Sequence, residues 1–105
     1  MKAQPLKITV IKKLSSKEVY GETLPEVSEN VIPYCENLEV GQEFISDEGV
    51  FPEGMCSWAF ADIQRDITHL RLGGDYPWIE EEGAIMSCCT DGARPVIFKL
   101  ERIES

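Results

Sequence analysis

One stretch of this chain carries a clear helical period, and it constrains what the rest must build. Phe60, Ile63, Ile67 and Leu70 follow a 3-4-3 spacing, which stacks them on one face of an α-helix. Pro52-Glu53-Gly54 breaks the chain before this stretch, and Gly73-Gly74 offers a left-handed stop after it. The expected helix runs from about Cys56 to Leu72. An amphipathic helix needs an apolar surface to lie on, so the flanking segments must supply a sheet.

They carry the right pattern. Leu6, Ile8 and Val10 alternate with Lys7, Thr9 and Ile11, predicting a strand over Leu6 to Leu14. Val96, Phe98 and Leu100 alternate with Ile97, Lys99 and Glu101, and the strand Val96 to Ile103 begins after Pro95, which cannot donate to a ladder. Leu38 to Ile45 reads as a turn leading into a strand that Asp47-Glu48-Gly49 ends, and Ala84 to Cys89 as a further strand. Thr90-Asp91-Gly92 reads as a turn, with the Asp-Gly pair supplying a positive φ. Ser15 to Asn30 is polar and acidic, with a short helix from Ser16 and otherwise loop. Val31 to Tyr34 is a short apolar piece. The expected fold class is α+β: a small antiparallel sheet, or an open barrel, of about four strands packed on one long helix.

A chain of 105 residues has room for one core, so residues 1–105 are expected to form a single domain. With 43% hydrophobic and 28% charged residues, its composition is that of a globular protein. Ten Lys and Arg stand against nineteen Asp and Glu, a formal charge of -9. Such a surface repels phosphate backbones and anionic lipid, so neither nucleic acid nor membrane is an expected partner. Charges and Thr9 interrupt Met1 to Val10 before an apolar signal core can form, and no apolar run approaches the ~18 residues a membrane span needs. The expected compartment is the cytoplasm, where cysteines stay reduced unless they are catalytic or hold metal.

The four cysteines therefore pose the functional question. Cys56 falls at the expected helix start, where unpaired N–H groups and the dipole favour a thiolate; the plainer alternative is a buried thiol that only packs. Cys35, Cys56, Cys88 and Cys89 also form a candidate set of soft ligands for Zn or Fe. No C-x-x-C pair is present: twenty residues separate Cys35 from Cys56 and thirty-one separate Cys56 from Cys88. Any such site is assembled by the fold. Neighbours in a strand face opposite ways, so Cys88 and Cys89 cannot both reach it unless the strand ends there. Adjacent cysteines also bridge only with a strained peptide.

Other polar residues offer weaker signals. His69 shares a charge-laced stripe with Trp58, Asp62, Arg65 and Asp66; it is either a general base oriented by a carboxylate or part of a solvated flank, and the solvated flank is favoured. Trp58, Tyr76 and Trp78 can wall a ligand pocket or close a loop onto the sheet. Glu80-Glu81-Glu82 reads as a solvated loop. Asp91, Arg94 and Arg102 can cluster near the last hairpin or simply flank its turn. No Gly-rich phosphate loop, G-x-S-x-G elbow or H-E-x-x-H motif occurs, so no enzyme class is implied.

Several segments taken together resemble a family of short prokaryotic proteins, frequent in anaerobes. The matching residues are Cys35 with Val40, Gly41 and Phe44; Pro52, Glu53, Gly54, Cys56, Ala59 and Phe60; Gly73, Gly74, Pro77 and Trp78; and Cys89 with Pro95, Val96 and Phe98. The likeness covers most of the chain outside Ser15 to Val31. It departs at Ala61, where related members often carry a histidine. It implies three recurrent cysteines, Cys35, Cys56 and Cys89, with Cys88 spare, and no particular substrate.

Three functions remain open. The first is a module in which Cys35, Cys56 and Cys89 bind Zn or Fe. The second is a thiol-redox protein using Cys56 as nucleophile with Cys89 or Cys88 as resolving partner. The third is a structural or interaction domain that meets a protein partner or a second copy through exposed Trp78 or an edge strand. A small-molecule ligand is not specified by any of them.

Overall fold

The computed structural model describes residues 3–23 and 34–103. Its elements run β1 (Leu6–Lys13), α1 (Ser16–Tyr20), β2 (Glu43–Ser46), α2 (Ser57–Asp62), α3 (Gln64–Arg71), β3 (Ala84–Cys88) and β4 (Val96–Arg102). The four strands form one antiparallel sheet in the order β2-β1-β4-β3. β2 and β3 are its edges, so the sheet is open and the barrel alternative falls away. The fold class is α+β. The Val31 to Tyr34 piece and the second half of the Ser15 to Asn30 segment lie mostly outside the described residues.

The two central strands are those with the cleanest alternation. Leu6, Ile8 and Val10 of β1 and Val96, Phe98 and Leu100 of β4 turn their side chains into one buried cluster. Ile11 is exposed, as its place opposite Leu6, Ile8 and Val10 predicts, but the pairing register breaks at it. A bulge between Val10 and Lys12 inserts it as an unpaired residue. The opposite sheet face carries ion pairs, Lys7 with Glu43 and Glu101, and Lys99 with Glu81 and Glu101, which is how an antiparallel sheet faces water.

The expected Cys56 to Leu72 helix is two helices. Ile63 breaks it, with φ -96° and ψ 11° between α2 and α3. The Gln64 side-chain amide donates to the Phe60 carbonyl at 3.0 Å. In a continuous helix that carbonyl would receive the Gln64 backbone N–H, so the side chain has entered the ladder and turned it. The apolar face survives the break: Ile63, Ile67 and Leu70 are fully buried in the same cluster as the sheet. Gly73 ends α3 as expected, at φ +92°, with Gly73 N–H on Leu70 O and Gly74 N–H on His69 O. Among the described residues no helix is long and apolar enough to cross a membrane.

Two loops bearing on the site are tied down from a distance. Ser15 caps α1 in a capping box with Glu18. The Ser16 and Tyr20 hydroxyls then donate to the carbonyls of Ala93 and Gly92, holding the β3–β4 loop. Lys13 Nζ donates to Leu38 O at 2.8 Å, and the buried Leu38 anchors the segment that carries Cys35.

Candidate functional site

Cys35, Cys56 and Cys89 line one cleft of about 680 Å³. Each arrives on a different element. Cys35 sits in the loop pinned by Leu38. Cys56 is the N-cap residue of α2, and its side chain makes no capping hydrogen bond, which leaves the sulfur free for the cleft. Cys89 follows the last residue of β3. It exchanges two bonds with Val96: its N–H donates to the Val96 carbonyl at 3.0 Å, and its Sγ accepts the Val96 N–H at 3.2 Å. All four cysteines are free thiols.

Cys88 belongs elsewhere. It pairs with Ile97 in the ladder and opens into a separate cleft of about 560 Å³ that also includes Arg65, Asp66 and Ser87. Its Sγ donates to the Cys89 carbonyl at 3.1 Å. Partial desolvation, Cys89 and Asp62 together hold this thiol above its ordinary range, so it is a poor thiolate.

The cleft walls are braced by two carboxylates. Asp62, at the end of α2, accepts the Thr90 N–H at 2.8 Å and so locks the helix to the residue after Cys89. Asp91 Oδ1 accepts the N–H groups of Ala93 and Arg94 at 2.9 and 3.0 Å. This carboxylate-held turn replaces the expected glycine-driven one, since Gly92 does not take a positive φ. Burial pushes the Asp91 carboxyl up, but these backbone donors and the Arg94 guanidinium outweigh it and hold the group below the usual range. Arg94 Nε lies 3.5 Å from Asp91 Oδ2, outside hydrogen-bond geometry, and this buried nitrogen has no other partner. Trp58 stands at the rim, 83% exposed.

The other expected groupings divide. Asp91 and Arg94 do meet at the hairpin, but Arg102 does not join them. Arg102 pairs with Asp75 at 2.7 Å and donates to the carbonyls of Leu70 and Gly74 at the far end of α3. His69 does not meet a carboxylate: its Nε2 lies 2.8 Å from the Asp75 carbonyl, and its ring packs tilted against Tyr76 at 4.7 Å, which packs tilted against Trp78 at 5.2 Å. These aromatics close the loop after α3 and do not border the cysteine cleft. Glu81 pairs with Lys99, consistent with a solvated acidic loop.

Asp66 departs most from the expected solvated stripe. It is 3% exposed. Its carboxylate accepts the Tyr76 hydroxyl at 2.7 Å and the Ser87 hydroxyl at 2.8 Å, joining α3 to the loop and to β3. Asp62 and Asp66 share the sequence stripe, yet one braces the cleft and the other is a core polar contact. Only the positions of their partners, Thr90, Tyr76 and Ser87, distinguish them, and no local signal announces those.

No protein-family model matches the chain, no curated protein matches it, and no solved structure matches it.

Proposed function

We propose that the protein is a small metal-binding module in which Cys35, Cys56 and Cys89 ligate Zn or Fe. The observation that carries this reading is the sorting of the cysteines. Three, from segments far apart in sequence, line one cleft, and the fourth opens into another. Cys35, Cys56 and Cys89 all pack against the edge of the hydrophobic core, and their thiolates suit soft or borderline ions. In the same lining the carboxylates of Asp62 and Asp91 outnumber the one cation, Arg94, which lies beside Asp91, and the surplus negative charge favours a bound cation. The family resemblance, with its three recurrent cysteines, points to the same residues.

The test is metal content after anaerobic purification, followed by titration with Zn²⁺ and Fe²⁺. The protein is expected to retain metal. At a free metal concentration a hundred times Kd, its unfolding free energy rises by about 2.7 kcal/mol. Cys35→Ala, Cys56→Ala and Cys89→Ala each weaken binding by about a hundredfold or more, since even outer-shell partners are worth 10–100-fold. Cys88→Ala leaves it unchanged. A folded protein that retains no metal, and whose unfolding ignores both ions, overturns the reading.

A second reading draws on the contrast between Cys88 and the cleft thiols. In it Cys56 attacks a substrate disulfide and Cys89 resolves the mixed disulfide, so the substrate leaves as a dithiol and a Cys56–Cys89 bond forms. Metal-free protein that forms this bond under mild oxidation supports the second reading over the first.

A further inference from the structure

A single short stretch, residues 13–20, sends hydrogen bonds to both loops that wall the cysteine cleft. Lys13 Nζ, at the end of β1, donates to the Leu38 carbonyl at 2.8 Å, in the segment that carries Cys35. Its side chain is only 14% exposed, with Glu39 at 3.9 Å as its counter-charge. Leu14 N–H donates to the Pro95 carbonyl at 2.9 Å. From α1, the Ser16 hydroxyl donates to the Ala93 carbonyl at 2.9 Å and the Tyr20 hydroxyl to the Gly92 carbonyl. Both acceptors lie in the loop that follows Cys89. On its other side α1 meets Tyr34, the residue before Cys35, whose hydroxyl lies 3.4 Å from Glu18 Oε1. α1 therefore has a bond to each of the two cleft loops.

These donors hold backbone. Each reaches a main-chain carbonyl 25, 77 or 72 residues away along the chain, so it fixes the path of a loop and everything that loop carries. A five-residue helix is far too short to persist alone. The capping box of Ser15 with Glu18 and the bonds to Ala93 and Gly92 are what keep α1 in place. We infer that α1 is a strap that sets the spacing of the Cys35 and Cys89 walls, with Lys13, Ser16 and Tyr20 as positioning residues of the cleft. Its effect on metal affinity rests on the metal reading above, whereas the strap itself does not. Loss of one donor lets a loop open locally, while the core of Leu6, Ile8, Phe98 and Leu100 stays packed.

The experiment is a time course of iodoacetamide alkylation on the reduced, metal-free full chain, with each cysteine followed by peptide mass mapping. Cys35 and Cys89 are partly buried in the closed cleft, so their rates report its opening. Ser16→Ala and Tyr20→Phe are each expected to speed alkylation of Cys89 and Cys35 several-fold, and Lys13→Met that of Cys35. Cys56 and Cys88 keep their wild-type rates. Lys13→Arg and Ser16→Thr, which retain a donor, stay close to wild type. If Ser16→Ala does not fold by circular dichroism, Tyr20→Phe, which keeps the ring, supplies the comparison. Unchanged rates at Cys35 and Cys89 overturn the strap. Equal acceleration at Cys56 also overturns it, because general loosening would expose all three cleft thiols alike. Zn²⁺ titration of the same variants is expected to show affinity weakened by about tenfold, the lower end for groups that orient metal ligands. If the wild type binds neither Zn²⁺ nor Fe²⁺, the metal reading fails and the alkylation pattern still decides the strap.

Discussion

Phe98→Ala is expected to cost about 3–5 kcal/mol of folding stability. Phe98 lies in the middle of β4, a central strand, opposite Val10 of β1 and Ser87 of β3, and its side chain is fully buried. It shares one cluster with Ile63, Ile67 and Leu70 of the helical layer. Truncation removes the transfer free energy of a benzyl group and leaves a cavity bounded by strands hydrogen-bonded on both sides, which relax little. A domain of this size is stable by only about 5–15 kcal/mol, so one such change brings it close to unfolding at ambient temperature. Urea unfolding followed by circular dichroism checks this. Met86→Ala, on the exposed side of β3, is expected to stay within about 0.5 kcal/mol. A loss below about 1 kcal/mol for Phe98→Ala would mean that the sheet and helices are not packed as described.

The second large effect is at Asp66. Asp66→Ala is expected to cost about 2–4 kcal/mol, because the Tyr76 and Ser87 hydroxyls lose a charged acceptor inside the protein. Arg65 contributes little: its side chain is 90% exposed and its Nε stands 3.4 Å away. Burial acts to raise the Asp66 carboxyl, but the hydrogen bonds from Tyr76 and Ser87, with Arg65, hold it below the ordinary carboxylate range. Burial and the Asp66 carboxylate in turn push the Tyr76 phenol up, so it stays protonated and donating. A carboxyl whose pKa is depressed in the folded state contributes stability that is complete above its unfolded value, about 3.9, and is lost as pH falls through the folded value. The gap between wild type and Asp66→Ala is therefore full at neutral pH and narrows once pH falls below about 4. Thermal unfolding across that range measures it. A gap that stays constant to the acid end would show that the carboxylate charge plays no part. Tyr76→Phe combined with Ser87→Ala closes a double-mutant cycle on the shared acceptor.

The strands show why part of this fold was legible. Leu6-Ile8-Val10 and Val96-Phe98-Leu100 alternate because one face of an antiparallel sheet meets water and the other meets helices, and a period of two records that directly. The 3-4-3 spacing through Leu70 recorded the buried helical face in the same way, but not the break within it. That break comes from the Gln64 amide reaching the Phe60 carbonyl, a side-chain choice that leaves the periodicity intact. The Ile11 bulge was equally hidden, since it concerns pairing with β4 and not the residue itself. Asp66 read as one charge among several on a stripe. Its burial depends on Tyr76 and Ser87, ten and twenty-one residues away.

The candidate site divides along the same line. Residue chemistry along the chain marked the four thiols as the candidate soft ligands, and strand alternation set Cys88 apart from Cys89; the net charge of -9 was a property of composition alone. Tertiary structure alone decided that the thiols at positions 35, 56 and 89 share a cleft, that Asp62 and Asp91 brace it, and that Arg102 and His69 lie outside it. The physical reason is range: periodicity and turn chemistry act over a few residues, whereas a site built from distant segments exists only once the burial of Leu38, Ile63 and Phe98 has brought those segments together.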